Sequence, residues 1–428
     1  MPIKIFTTNI SLKISQKTIT FKLTKTFNLG FVIAFLVEWN KDIQDGSDKY
    51  MRKILVAPDS FKGSLTALEA CEAMTTGIRR ALPDAEIVEI PMADGGEGTV
   101  QSLVDATDGK VIEAEVVGPL GDPVTAKYGL LGNGKTAVIE MAEASGLGYV
   151  TEKTKDPMVT TTYGTGQLIL ACLDQGIQEI IIGLGGSATN DGGAGMAQAL
   201  GYQLIDKAGN EIGYGGGALA DLATIKVDQV DKRLKATHFI IASDVNNPLV
   251  GPDGASAVFG PQKGADEEMV ASLDRNLQAF ADIIQEDLGK SIADTPGAGA
   301  AGGLGGGFLA FTQAEMNKGI EIVLAYTKLQ EAAVGCDLCL TGEGGIDFQT
   351  KFGKTPYGVA QAFKSVNPDK KVIALAGHVG KGIDELYTEG IEAVFGIAPG
   401  AASLDDLIAN AKDNLASTTE NIIRAIYS

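Results

Sequence analysis

Short apolar runs of strand length alternate with amphipathic stretches of helical period along most of this chain. Residues 53–58 (KILVAP) read as a buried strand, followed by the polar loop DSFKGS. Thr66 and Glu69 then make the T-x-x-E pattern of a capping box, and Cys71, Met74, Ile78 and Leu82 recur on one helical face. Pro83-Asp84 ends that helix. Residues 86–91 (EIVEIP) predict the next strand, with the loop ADGGEG and a helix from about Thr99 behind it. Strand–helix–strand–helix order implies a parallel sheet with right-handed crossovers.

The rhythm breaks over residues 111–145, where VIEAEVVGP, VTAKYGLLG and TAVIEMA read as antiparallel strands joined by turns. It returns at Glu179 with EIIIGL and the loop GGSATNDGG. THFIIAS at 237–243, an amphipathic helix at 267–289 and a Gly-rich stretch at 297–307 follow. The strand candidates CDLCLTG, KKVIALAG and AVFGIAP complete the chain, each leading into a helix. The pattern predicts an α/β fold. Residues 51–115 and 300–428 form a doubly wound, Rossmann-like parallel-sheet domain, interrupted at 116–299 by a second α/β domain with a mixed sheet. Residues 1–50 stand apart, with seven Lys against four acids. Their one strongly apolar stretch, residues 29–37, is too short to span a bilayer, and no small-x-small cleavage site follows it. Met51 begins MRKILVAPDS, a natural first strand. Residues 1–50 are therefore expected to be a non-native or disordered extension produced by an early start codon.

Charge narrows the partners. Lys and Arg number 35 against 54 Asp and Glu, a formal charge of −19, which disfavours nucleic acid and anionic membranes. A small anion is still admissible, because local amides and lysines can form a positive pocket. With only His238 and His378, a His-rich metal site is excluded. Cys71, Cys172, Cys336 and Cys339 are too scattered for a disulfide framework, so a reducing, cytoplasmic setting fits. The Cys336–Cys339 pair sits in an apolar run and reads as core. Gly129, Gly134, Lys135 and Thr136 match a P-loop in letters, but Asn133-Gly134 lies between two strand-like runs and reads as a hairpin turn. The G-x-G-x-x-G/A matches at 183–188 and 297–302 carry little weight among 55 glycines and leave hydride chemistry a minor option.

Five polar loops each follow a strand candidate: DSFKGS, ADGGEGT, GLGGSATNDGG, SDVNNP and TGEGGID. Ligands of open α/β sheets bind at such strand ends. The loops share Gly, hydroxyl residues, Asn and acids, and Lys62 and Lys263 add compact positive charge. Positioning, charge neutralisation, a metal and a base are what phosphoryl transfer asks for. Asp191 reads as a base or metal ligand, or alternatively as a helix cap.

The series ILVAPDSFKGSLTA, MADGGEGT, IGLGGSATNDGGAGM, ASDVNNPL, FGPQKGA and TGEG-ID-QT-GKTP-GVA, in that order, resembles the bacterial glycerate kinases of the type that makes 2-phosphoglycerate. The resemblance covers residues 51–428. It implies ATP-dependent phosphorylation of D-glycerate with Mg²⁺, in glyoxylate or sugar-diacid catabolism, in a cleft between two α/β domains. One position departs: Gly345 stands where the family pattern has Arg, which raises the alternative of a catalytically impaired binding relative.

The family name assigns no roles, and those expected of the loop residues follow from their own chemistry. Asp191 is the base and Lys62 faces transferring or carboxylate charge. Asp59, Ser60, Asp94, Glu97 and Asn246 bind substrate. Gly185, Gly186, Ser187, Thr189, Asn190, Gly302 and Gly303 hold ATP, and Asp244 and Glu343 hold Mg²⁺. The substrates are the partners, and a homodimer is left open.

Overall fold

The computed structural model describes residues 8–14, 17–23, 52–96 and 98–427. It divides into two units, Met1–Arg52 and Lys53–Ser428. In the first, β1 (Thr8–Ile14) and β2 (Lys17–Leu23) pair antiparallel, Ile10 opposite Phe21 and Leu12 opposite Ile19. The expected extension at 1–50 thus carries a ladder, signalled by alternating Ile10, Leu12, Ile14 and Ile19, Phe21, Leu23. Its other residues lie outside those described, as does Glu97.

The second unit holds two principal sheets. The strands are β3 (Lys53–Val56), β4 (Glu86–Glu89), β5 (Lys110–Val117), β6 (Pro123–Leu130), β7 (Thr136–Glu140), β8 (Glu179–Gly183), β9 (Gln203–Asp206), β10 (Leu222–Lys226), β11 (His238–Ala242), β12 (Glu315–Asn317), β13 (Leu338–Ile346), β14 (Lys371–Val379) and β15 (Ala393–Gly396). One sheet runs β15-β14-β13-β3-β4 and is parallel throughout. The other runs β12-β11-β8-β7-β6-β5; β7, β8, β11 and β12 are parallel, and β6 pairs antiparallel with both β5 and β7. β9 and β10 form a separate ribbon. The expected α/β class with one parallel and one mixed sheet is what is seen. The mixed sheet reaches from Lys110 to Asn317, so β5 and β12 extend it past the boundaries expected at 116 and 299.

Successive strand residues feed opposite cores, as the period of two requires. Ile180 and Ile182 join a core beneath the helices of the mixed sheet. Ile181 between them joins Leu55, Cys339 and Val372 of the parallel sheet in a core that the two sheets share. Ile54 and Val56 face a third core under the helices Ala67–Ala81 and Ala411–Tyr427. Asn133-Gly134 is the expected hairpin turn: Gly134 has φ of 67°, and the Asn133 side chain accepts from the amides of Lys135 and Thr136. All four cysteines are buried and free.

The first and last helices of this unit cross closely. A Cβ built at Gly77 would lie 2.3 Å from the Ala416 carbonyl oxygen and 2.8 Å from Thr419 Cβ. Neither backbone can yield cheaply. Gly77→Ala is therefore expected to destabilise the protein by about 1–3 kcal/mol despite Ala's better helix propensity. Urea denaturation of the two proteins measures it, and an unchanged midpoint would show that the crossing relaxes.

Candidate active site

The parallel sheet changes winding direction between β3 and β13, so the loops after these strands flank its switch point, where open α/β sheets form a crevice. Asp59, Ser60 and Lys62 follow β3. Asp94 and Gly96 follow β4. Glu343, Gly344 and Gly345 form the carboxyl end of β13. From the mixed sheet come Glu140 at the end of β7 and Gly185 and Gly186 after β8. These residues line one cleft of about 1310 Å³, which Lys354 also borders. A smaller chamber of about 340 Å³ adjoins it, lined among others by Ser187, Asp244, Phe259 and Lys263. Asp94, Gly96, Leu147, Gly185 and Gly186 line both.

Carboxylates dominate the wider cleft. Asp59 is 9% exposed. Its Oδ1 accepts from the Ser60 amide at 2.6 Å, and its Oδ2 accepts from the Thr355 hydroxyl. Burial pushes its pKa up to about 6; the Thr355 bond opposes this and the Asp94 charge adds to it. Burial lifts Glu343 to about 7, against the Lys354 ammonium 3.7 Å away and with the charges of Asp59 and Asp94. Asp244 stands at the exposed rim of the chamber. Desolvation raises its pKa, the Gly319 amide at 3.3 Å lowers it, and the Asp94 charge raises it further. The charge of Asp94 thus adds to the effect of burial on three other acids.

The smaller chamber has a cationic floor. Lys263 is 2% exposed, and its Nζ donates to Ser187 Oγ at 2.8 Å and to the Thr189 carbonyl at 2.6 Å. Burial pushes its pKa down to about 7, and Asp191 opposes that shift. The amides of Gly185 and Gly186 donate to no other described residue, which leaves them available to an anion.

A family model described as the glycerate kinase family matches residues 54–427. The chain belongs to the glycerate kinase family. The glycerate kinase of Bacillus subtilis (strain 168) is 53% identical over 374 residues, 87% of this chain and 97% of that one. The glycerate 2-kinase of Escherichia coli (strain K12) is 50% identical over 370 residues, 86% and 97% of the two chains. A solved protein from Salmonella typhimurium LT2 designated glycerate kinase 2 superposes with a TM-score of 0.80 at 48% identity, covering 88% of this chain and 98% of its own.

Within this glycerate kinase fold the expected site residues separate. Asp59, Ser60, Lys62, Asp94, Glu343, Gly185, Gly186, Ser187 and Asp244 all reach the cleft or its chamber. Asp191 does not, and its assignment as base is corrected. It is 0% exposed, and its oxygens accept from the Thr162 amide and hydroxyl (both 2.9 Å) and the amides of Gly193 (3.0 Å) and Gly195 (3.2 Å). The Gly193 and Gly195 amides open the helix Ala194–Ala199, whose N-cap is Gly193 and which begins later than the polar run 187–190 suggests. Thr189 and Asn190 are likewise 0% exposed, with Asn190 Nδ2 donating to Ser256 Oγ. Gly302 and Gly303 are buried against the very loop that they are expected to assist. A Cβ at Gly302 would lie 1.9 Å from the Thr189 carbonyl oxygen, and the Gly192 amide donates to the Gly302 carbonyl. Their positive φ angles of 68° and 89° serve the close approach of two loops rather than a phosphate. Asn246 is exposed and lines neither space. Asp244 lines the chamber and Glu343 the wider cleft.

Three contributors carry weaker sequence signals. Thr355 meets Asp59 across 296 residues of chain, which no local pattern reports. Lys354 sits inside the GKTP motif, and Glu140 closes a strand. Gly345 lines the cleft with open space where a Cβ would project. Nothing in the site's geometry favours the impaired alternative.

Asp191→Asn is expected to destabilise the protein by about 1–3 kcal/mol, because either amide orientation turns an NH₂ toward backbone N–H donors. Thermal melting checks this. A variant as stable as the parent but inactive would return Asp191 to a chemical role.

Proposed function

We propose that the protein transfers the γ-phosphoryl group of ATP to the 2-hydroxyl of D-glycerate. The observation that carries the reading is the convergence of both sheets' strand ends on one cleft that pairs acids with glycine amides and lysines, in a chain of this family. Donor phosphates lie along the Gly185 and Gly186 amides, where the two spaces meet. Glycerate lies on the Asp59 side, its carboxylate toward Lys62 and the Ser60 hydroxyl. The 2-hydroxyl oxygen attacks the γ-phosphorus, the bond to the bridging oxygen of ADP breaks, and the hydroxyl proton passes to Asp59. A carboxylate held near pKa 6 is mostly ionised at neutral pH yet basic enough to accept that proton.

Mg²⁺ fits the donors present. Among the described residues no group of three or more ligating side chains forms a metal cage. Mg²⁺ typically needs only one or two carboxylates beside substrate phosphates. Asp94, which lines both spaces, and Asp244 beside it would hold it, and the ion would neutralise phosphate charge there. A cytoplasmic setting is in keeping with four free thiols.

Incubation with D-glycerate, ATP and Mg²⁺, followed by NMR of the product, tests the reading: 2-phosphoglycerate and ADP are expected, and 3-phosphoglycerate or no product overturns it. Asp59→Asn should lower kcat by about 10²–10⁴-fold and abolish the rise of kcat/KM with pH through about 6. That sign follows because activity needs the ionised carboxylate, present above its pKa. Loss of the same limb in Glu343→Gln, with Asp59→Asn active, would move the base to Glu343.

A further inference from the structure

Lys263 is the most deeply buried charge that borders either space. An ammonium group carries three N–H donors. The two acceptors it meets, Ser187 Oγ and the Thr189 carbonyl, are neutral. Among the described residues the partners of Nζ include no carboxylate, and Asp191 acts on it only through space. Buried charges are normally paired, because leaving one without a counter-charge costs several kcal/mol. Here the missing negative charge has an open place. Lys263 lines the small chamber beside Ser187 and next to the Gly185 and Gly186 amides, which have no acceptor among the described residues. The other ionisable groups on that chamber are Asp94 and Asp244, both acids, so Lys263 is its one ionisable cationic side chain among the described residues.

We propose that Lys263 is a substrate-contacting residue whose third N–H donor, together with the Gly185 and Gly186 amides, holds an anionic oxygen of a substrate in the small chamber. This rests on the kinase reading and adds a ligand contact to it. The oxygen belongs either to the phosphates of the nucleotide or to the carboxylate of glycerate; the chemistry recognised is the same. Lys263 reaches the chamber from a short turn, Pro261–Lys263, held 74 residues from the Thr189 carbonyl in sequence. Occupancy by an anion also favours the charged ammonium, which burial alone opposes.

The test compares the parent with Lys263→Met and Lys263→Arg by calorimetric titration of ADP and of D-glycerate separately, beside steady-state kinetics. Removal of one charge-assisted hydrogen bond predicts an about ten- to hundred-fold weaker Kd for one ligand in Lys263→Met, with the other within about two-fold. The weakened ligand identifies the source of the oxygen. Lys263→Arg keeps the charge and should recover part of the loss. Unchanged affinity for both ligands in a folded Lys263→Met overturns the proposal while leaving the kinase reading intact. An inactive parent would instead remove the reading itself. Should the Met variant not fold, acetylation of Lys263 in the parent, followed by mass spectrometry, decides. Protection by ADP or by D-glycerate supports the contact, and equal labelling with and without either ligand refutes it.

Discussion

Burial makes Asp59, Asp244 and Glu343 harder to ionise, and the negative charge of Asp94 adds to that in each. Acids gathered at two adjoining, partly desolvated spaces repel one another, and amides and cations are set against three of them. Ser60 and Thr355 hold Asp59, Lys354 faces Glu343, and the Gly319 amide serves Asp244. What they leave uncompensated suits a divalent cation and a polyphosphate arriving together. In the reaction proposed above, Asp94 and Asp244 would hold the metal, and Asp59, lifted by burial to about 6, takes the proton.

The surrounding architecture explains why these groups meet. Two sheets share a core in which Ile181 of one packs into the same cluster as Leu55 and Cys339 of the other. That common core orients the carboxyl ends of both sets of parallel strands toward one opening. The glycines divide into two classes. Gly185, Gly186 and Gly345 border the cleft, while Gly302 and Gly303 press against the 189–192 backbone and let two loops pack without side chains between them. Asp191 accepts from Thr162, Gly193 and Gly195, and its charge opposes the burial that lowers the Lys263 pKa.

Much of this was legible in the sequence because strand ends and glycine-rich loops leave local signatures. The capping box at Thr66 and Glu69, the Asn133-Gly134 turn and the antiparallel run from 111 to 145 all form as their patterns indicate. Six loop motifs in order sufficed to name the family. What sequence could not show was direction. In SATND the letters do not distinguish Ser187, which reaches the chamber, from Asp191, which turns inward to accept from the amides of Gly193 and Gly195. An acid in a loop and an acid at a helix start look alike until the backbone donors around them are placed. Gly302 failed for a related reason: positive φ permits both phosphate contact and loop packing, and only the neighbouring Thr189 carbonyl decides.

In the proposed function, donor and acceptor are held together where the two sheets' strand ends converge. A crystal structure with a non-hydrolysable ATP analogue, Mg²⁺ and D-glycerate tests it most directly. Phosphate oxygens are expected on the Gly185 and Gly186 amides, and the glycerate 2-hydroxyl within hydrogen-bond reach of Asp59. Nucleotide and glycerate bound in separate places, with Asp59 and Asp94 touching neither, would contradict it.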